Sequence, residues 1–191
     1  MKRLNPDIER LHPNLLHFGY EVTSDADGKY NCAAWAMEDM AYWWEPYKEH
    51  GVFWPPELPL EDSLENYINA FATNGYTRTD NASPELWVEK IAIFRDAYGN
   101  FMHVARQLAD GNWTSKLGIH EDIRHSKLAA LEDNDYGYVG VIMKRRCSLL
   151  GIITRAFFMV RDLVLSSRVF SPTQFSALVS RRVSRRGSKC G

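Results

Sequence analysis

Hydrophobic and polar positions follow two different periods along the chain. Apolar residues recur at Ala33, Ala36, Met37 and Met40, the spacing of one helical face. Ala, Met and Glu dominate this run, so it predicts a helix over 33–40, with Asn31 as its N-cap and Cys32 in its first turn. Trp43-Trp44-Glu45-Pro46 closes it, because proline disfavours helix in the residue before it. Leu64, Tyr67, Ile68 and Phe71 form a second stripe, predicting a helix over 63–74 capped by Asp62 and stopped by Gly75. From Val88 the period becomes that of strands, over 88–94, 101–108 and 112–117. Asp110-Gly111 reads as a two-residue hairpin turn between the last two. A short helix over 126–131 and a strand over 136–143 follow. Residues 1–30, with Pro6, Pro13 and the polar turn at 24–28, read as irregular, and 51–61, with three prolines, as an extended connection. Helices followed by strands predict an α+β domain.

The chain has 191 residues, 45% hydrophobic and 25% charged, which excludes a collagen, a coiled-coil rod and a wholly disordered chain. Three cysteines make no disulfide scaffold. The first thirty residues hold no apolar core of signal-peptide length, so a cytoplasmic location is expected. The net charge of −1 hides an asymmetry: residues 1–143 carry 23 acidic and 12 basic side chains, residues 144–191 carry 1 acidic and 11 basic. The chain therefore divides into an N-terminal arm (1–13), a domain (14–145) and a basic Arg/Ser-rich tail (146–191). Segment 149–165 is apolar, but Arg155, Arg161 and Asp162 make it too short and too charged for an ordinary membrane span. The tail is expected to be poorly ordered or a non-native extension, with contact to a membrane or to nucleic acid as the alternatives.

The chemical candidates are Cys32 and His103. A thiol at the start of a helix faces the positive end of the dipole, which favours its reactive thiolate. An imidazole able to take its proton is commonly distant in sequence, and His103 lies on a predicted strand, sharing a face with Ala105 and Gln107. The opposing reading makes Cys32 a small buried hydrophobe and His103 a core residue. A two-residue turn would put Thr114 and Lys116 on the face of His103; one more loop residue would put Ser115 there instead. Thr114 or Ser115 is therefore the candidate to orient the imidazole. Asp122 and His125 are also within reach in the next segment. His103, His120, His125 and Asp122 are metal-type ligands without the spacing of a metal site, so no metal or other cofactor is expected. No phosphate-cradling glycine loop is present, which argues against a nucleotide. Trp35, Trp43, Trp44 and Trp54 crowd the Cys32 helix as core, or as the wall of a groove.

Two runs carry a resemblance. Tyr30-Asn31-Cys32-Ala33-Ala34-Trp35-Ala36 and the stretch from His103 to Gly118, continued by Asp122-Ile123, His125 and Tyr136-Gly137-Tyr138-Val139, resemble an uncharacterised bacterial domain family over roughly 14–145. More loosely, a helix-borne Cys followed by a strand-borne His resembles the papain-like superfamily, NlpC-type cell-wall peptidases in particular. Asn31 stands here where those enzymes have an acidic residue. The resemblance implies N-terminal helices packed on a small antiparallel sheet. It further implies a thiol hydrolase or acyltransferase acting on an amide or related acyl bond of a peptide, amide or protein substrate. Cys32 would be the nucleophile, His103 the base, and Thr114 or Ser115 the orienting residue. Asn31, Trp35, Gln107 and Lys116 would line the site or its oxyanion pocket. The alternative is a non-catalytic protein-binding module of the same fold.

Overall fold

Ile91, Ala92, Ile93 and Phe94 form an unbroken apolar run, and all four are fully buried. A strand reaches that state only when both faces of its sheet are covered. The computed structural model describes residues 2–147; the basic stretch from 148 on, Cys190 included, lies outside the described residues. In chain order the elements are helices α1 (Pro6–Leu11) and α2 (Pro13–Phe18), strand β1 (Tyr20–Val22), helix α3 (Cys32–Ala36), strands β2 (Trp43–Trp44) and β3 (Val52–Phe53), and helix α4 (Leu64–Ala72). Strands β4 (Thr77–Thr79), β5 (Val88–Arg95), β6 (Phe101–Gln107), β7 (Trp113–Lys116) and β8 (Asp122–His125), a 3₁₀ turn (Leu128–Leu131) and strand β9 (Tyr138–Arg146) complete it.

Seven strands form one sheet in the order β1-β8-β7-β6-β5-β9-β4, with every neighbouring pair antiparallel. β2 and β3 form a separate parallel pair. On one face Ile91, Ile93, Val104 and Met143 pack with Ala33, Ala34 and Ala36 of α3 and with Tyr67, Ile68 and Phe71 of α4. On the other, Ala92, Phe94, Ala105, Trp113 and Ile123 pack with Leu4, Ile8 and Leu15 of the N-terminal segment and with Ala130 and Leu131. The fold is thus mixed α/β with a mainly antiparallel sheet and few helices. The sheet is larger than expected, and the helices are split between the two faces rather than gathered at the N-terminus.

Several expected boundaries move for local reasons. The arm is not irregular. Asn5 Oδ1 accepts from Asp7 N (2.9 Å), and Pro6 and Pro13 occupy the first turns of α1 and α2, where a missing N–H costs nothing. α3 stops at Ala36 because Glu38 adopts φ 61°, a left-handed conformation, from which its carboxylate pairs with Arg106 on β6. Ser63, not Asp62, caps α4, accepting from Asn66 N (3.4 Å). The β6–β7 connection is longer than two residues: Gln107 pairs with Trp113 and Arg106 with Thr114. Leu108 N donates to Asn112 O (2.7 Å), and Asp110 Oδ1 accepts from Asn112 N (3.0 Å) within that loop. Among the described residues, no helix is long and apolar enough to cross a membrane.

Candidate functional site

The Cys32 neighbourhood is built from contacts on both sides of the residue. Asn31 Oδ1 accepts from Ala34 N (3.0 Å), which caps α3 and stabilises it by about 1 kcal/mol. The same oxygen accepts from Trp44 N (3.2 Å), while Asn31 Nδ2 donates to Trp44 O (3.1 Å), so one buried amide joins the helix start to β2. Tyr30 Oη donates to Asp122 Oδ2 (2.8 Å) on β8. Trp35 Nε1 donates to Thr114 Oγ1 (3.2 Å), and the Arg106 guanidinium lies 5.1 Å over the Trp35 ring. Cys32 itself is part-buried and meets the backbone of Val104 on β6. Burial pushes its thiol up to about 11, against the pull of backbone hydrogen bonds from Val104, Ala33 and Cys32 itself. The dipole of a five-residue helix does not outweigh that desolvation, so the thiol is not the low-pKa group the sequence suggested.

His103 is one residue from Val104 and only 1% exposed. It pairs with Phe94 and so belongs to the face covered by α1 and α2, whereas Val104 and Cys32 pack on the α3 face. Its ring stacks on Tyr136 (centroids 4.2 Å, planes 20° apart) and meets the edge of Phe94 at 5.5 Å. His103 Nε2 hydrogen-bonds nothing among the described residues, the Cys32 thiol included. Burial first, then the nearby imidazoles of His125 and His12, hold His103 well below the usual histidine range.

The longer loop decides between Thr114 and Ser115. Ser115 shares the face of His103 and Ala105; Thr114 points to α3, where it accepts from Trp35 and donates to Ile123 O (3.0 Å). Neither orients His103. Ser115 Oγ lies 3.0 Å from His125 Nε2, and His125 Nδ1 lies 2.8 Å from Lys127 O. A carbonyl only accepts, so Nδ1 carries the proton and Nε2 accepts from Ser115. Lys116 does not face His103 either: it sits fully buried on the α3 face, 4.8 Å over the Tyr30 ring, and donates to His120 O. Burial is the main force pushing the Asp122 carboxyl up and the Lys116 ammonium down, and Asp122 Oδ1 has no partner among the described residues. Gln107 Nε2 donates to Ala82 O (2.9 Å) and so holds a loop. The predicted residues therefore form two groups: Asn31, Cys32, Trp35, Thr114 and Lys116 on the α3 face, and His103, Gln107 and Ser115 on the other.

Burial pushes His125 down to about 4. The unfolded chain binds a proton there near pH 6.5, the folded one only near 4, so stability is lost as pH falls through that window, by about 3 kcal/mol at its lower end. Urea unfolding between pH 7 and pH 4 should show an acid loss about 3 kcal/mol larger for the native chain than for His125→Gln; equal losses would mean an ordinary imidazole.

Sequence reasoning missed Tyr136, His12 and Asp133. His12 stacks on the far side of Tyr136 (4.4 Å, 15°), and its Nδ1 lies 2.6 Å from Asp133 Oδ2. The only signals were a histidine before Pro13 and an Asp-to-Gly turn, neither tied to the other by spacing. Among the described residues, no three His, Cys, Asp or Glu side chains are placed to hold a metal ion. A surface cavity of about 580 Å³ opens elsewhere, lined in part by Thr77, Glu85, Val88, Lys144, Arg145 and Arg146, and none of the predicted residues reaches it. Compared with known proteins, residues 21–144 match the family model described as Domain of unknown function (DUF7689). No curated protein and no solved structure matches the chain.

Proposed function

The chain belongs to the DUF7689 family, and from that premise we propose that it is a thiol-dependent hydrolase or acyltransferase with a papain-like arrangement. Its substrate is an amide or related acyl bond of a peptide, small amide or protein, and it uses neither nucleotide nor cofactor. One observation carries this reading: the Cys32 thiol stands at the start of α3 and meets the backbone of Val104, the residue after His103. His103 faces the other side of the sheet, so the pair works only where its imidazole passes the β6 backbone to reach the thiol.

With burial pushing the thiol up to about 11 and holding His103 well below the usual histidine range, both groups rest neutral. The proton therefore leaves Sγ as the sulfur attacks, not before. The carbon–sulfur bond forms, His103 takes the thiol proton, and the carbonyl oxygen becomes an oxyanion facing the Cys32 backbone N–H. The bond to the leaving group then breaks, and that group takes the proton from His103. Water or another acceptor attacks the thioester, gives its proton to His103, and releases the acyl group; the thiolate recovers that proton.

Iodoacetamide labelling followed cysteine by cysteine across pH tests this. Cys32 is expected to react in the folded protein at a rate that rises with pH toward its raised pKa of about 11, and His103→Ala to slow it at least tenfold without changing the circular dichroism. A Cys32 that stays inert until the chain unfolds, or that ignores His103, overturns the proposal. The second reading, a protein-binding module with Cys32 and His103 as packing, draws on the ring stack around His103 and the missing thiol–imidazole hydrogen bond. It expects Cys147 or Cys190 to be labelled before Cys32.

A further inference from the structure

We infer that the turn carrying Leu86 and Trp87, with the cations of β9 behind it, is an interfacial contact that seats the domain on an anionic lipid surface. This contact is separate from Cys32 and His103. The turn has a backbone conformation that packing does not explain. Glu85 O accepts from Val88 N (3.3 Å), so Leu86 and Trp87 are the central residues of a four-residue turn. Trp87 has φ 62°, a left-handed value at the turn position that glycine or asparagine normally fills. A bulky residue there is a strained outlier. Glu38, the other non-glycine residue with positive φ among the described residues, gains an ion pair with Arg106. Trp87 gains nothing comparable: its indole hydrogen-bonds no group and stacks on no ring among the described residues. Instead the two side chains stand out in water, Leu86 80% and Trp87 55% exposed. Strain kept at an exposed site points to a use for the exposed group.

The surroundings of the turn supply the charge. Glu85 and Val88, which flank the pair, line the surface cavity of about 580 Å³, together with Lys144, Arg145 and Arg146. Lys144 lies 3.6 Å from Glu85 and Arg145 2.6 Å from Glu89, so carboxylates match two of the three cations. Arg146 stands opposite Val88 in the β5–β9 register, is exposed, and has no ion pair among the described residues. Lys90 and Gln107 hold the loop leading into the turn, at Asn81 O (2.7 Å) and Ala82 O (2.9 Å), so the tip rests on a fixed base. An apolar pair at a turn tip beside an unmatched guanidinium has the chemistry of an interfacial anchor. Leu86 enters the boundary of the acyl chains, the Trp87 ring lies at headgroup level, and Arg146 meets lipid phosphate. Leucine gains from hydrocarbon and nothing from a nucleic-acid phosphate, which favours lipid. Charge sets the approach: residues 1–143 carry 23 acidic and 12 basic side chains, so an anionic surface repels the body and attracts the β9 cations. One inserted turn gives weak, reversible, salt-dependent binding.

The test is co-sedimentation of the full chain with vesicles of phosphatidylcholine alone and of phosphatidylcholine mixed with phosphatidylserine, at low and at physiological salt. The native chain should bind the mixed vesicles, ignore the neutral ones, and let go as salt rises. Leu86→Ser should weaken binding at least about tenfold, and Arg146→Gln about fivefold. Trp87→Gly should weaken it at least about tenfold while keeping or raising the melting temperature, because glycine suits the left-handed position. A merely structural Trp87 would move the melt and leave binding alone. If Trp87→Gly does not fold, Leu86→Ser, which alters a side chain 80% exposed, carries the test. No binding to either vesicle overturns the inference and leaves the turn to a protein partner. Binding that Leu86→Ser and Arg146→Gln leave unchanged overturns it as well, and puts the contact in another part of the chain.

Discussion

Lys90→Met is expected to lower the free energy of unfolding by about 2–6 kcal/mol, because two backbone carbonyls lose their donor. The Lys90 side chain has no solvent exposure; its ammonium donates to Asn81 O (2.7 Å) and Ser83 O (2.5 Å) and pairs with Glu85 (2.5 Å). It fastens the 80–86 loop onto the sheet, with Gln107 holding Ala82 O of the same loop. Methionine keeps most of the stem's packing, so the loss measures the polar part alone. Each carbonyl left without a donor costs about 1–3 kcal/mol. Glu85 is a third exposed and regains water, so Glu85→Gln should cost far less than Lys90→Met. Urea unfolding of the two variants checks the asymmetry. A loss under about 1 kcal/mol for Lys90→Met would show that water replaces the ammonium.

Gly137→Ala should cost roughly 4 kcal/mol, at the extreme of single substitutions. Gly137 has φ 73°, and a Cβ there would lie 2.1 Å from Arg95 O and 2.6 Å from Arg95 C. Both are backbone atoms of a central strand and cannot swing aside. The left-handed conformation alone accounts for about 1–2 kcal/mol; the remainder is the clash. Gly99 provides the comparison, with φ 89° and nothing within 4 Å of its would-be Cβ, so Gly99→Ala should lose only the backbone part. Thermal melts of both variants separate the two contributions, and equal losses would refute the clash.

The elements legible in the sequence are those whose own residues decide them. The 88–94 and 101–108 runs, the 64–71 stripe and the cap at Asn31 all reappear, because period and capping are local properties. What was not legible depends on partners far along the chain. Asp122–His125 is polar in sequence and becomes β8 only by pairing with β7 and β1. Pro6 and Pro13 read as breakers but sit in first turns, because Leu4, Ile8 and Leu15 are drawn into the core beneath the sheet. α3 is shorter than its composition suggests because Glu38 leaves the helix to reach Arg106. The candidate site suffered most from one residue of loop length. Asp110 caps its own turn, the register moves by one, and Thr114 and Ser115 exchange faces. No pattern of spacing joins His12, Tyr136 and His103, which come from three separate parts of the chain.

The outer strands of the sheet have a kinetic consequence. β1 meets its partner only when Tyr20 finds His125, and β4 only when Thr77 finds Lys144. Such closures lose chain entropy before any contact repays it, so the domain belongs among the slow folders, on a scale of milliseconds to seconds. During synthesis the N-terminal segment must wait, unpaired, until residues beyond 125 have left the ribosome. Leu4, Ile8 and Leu15 are without their apolar cover throughout that interval. That apolar segment is therefore open to aggregation for as long as its partners are still being made.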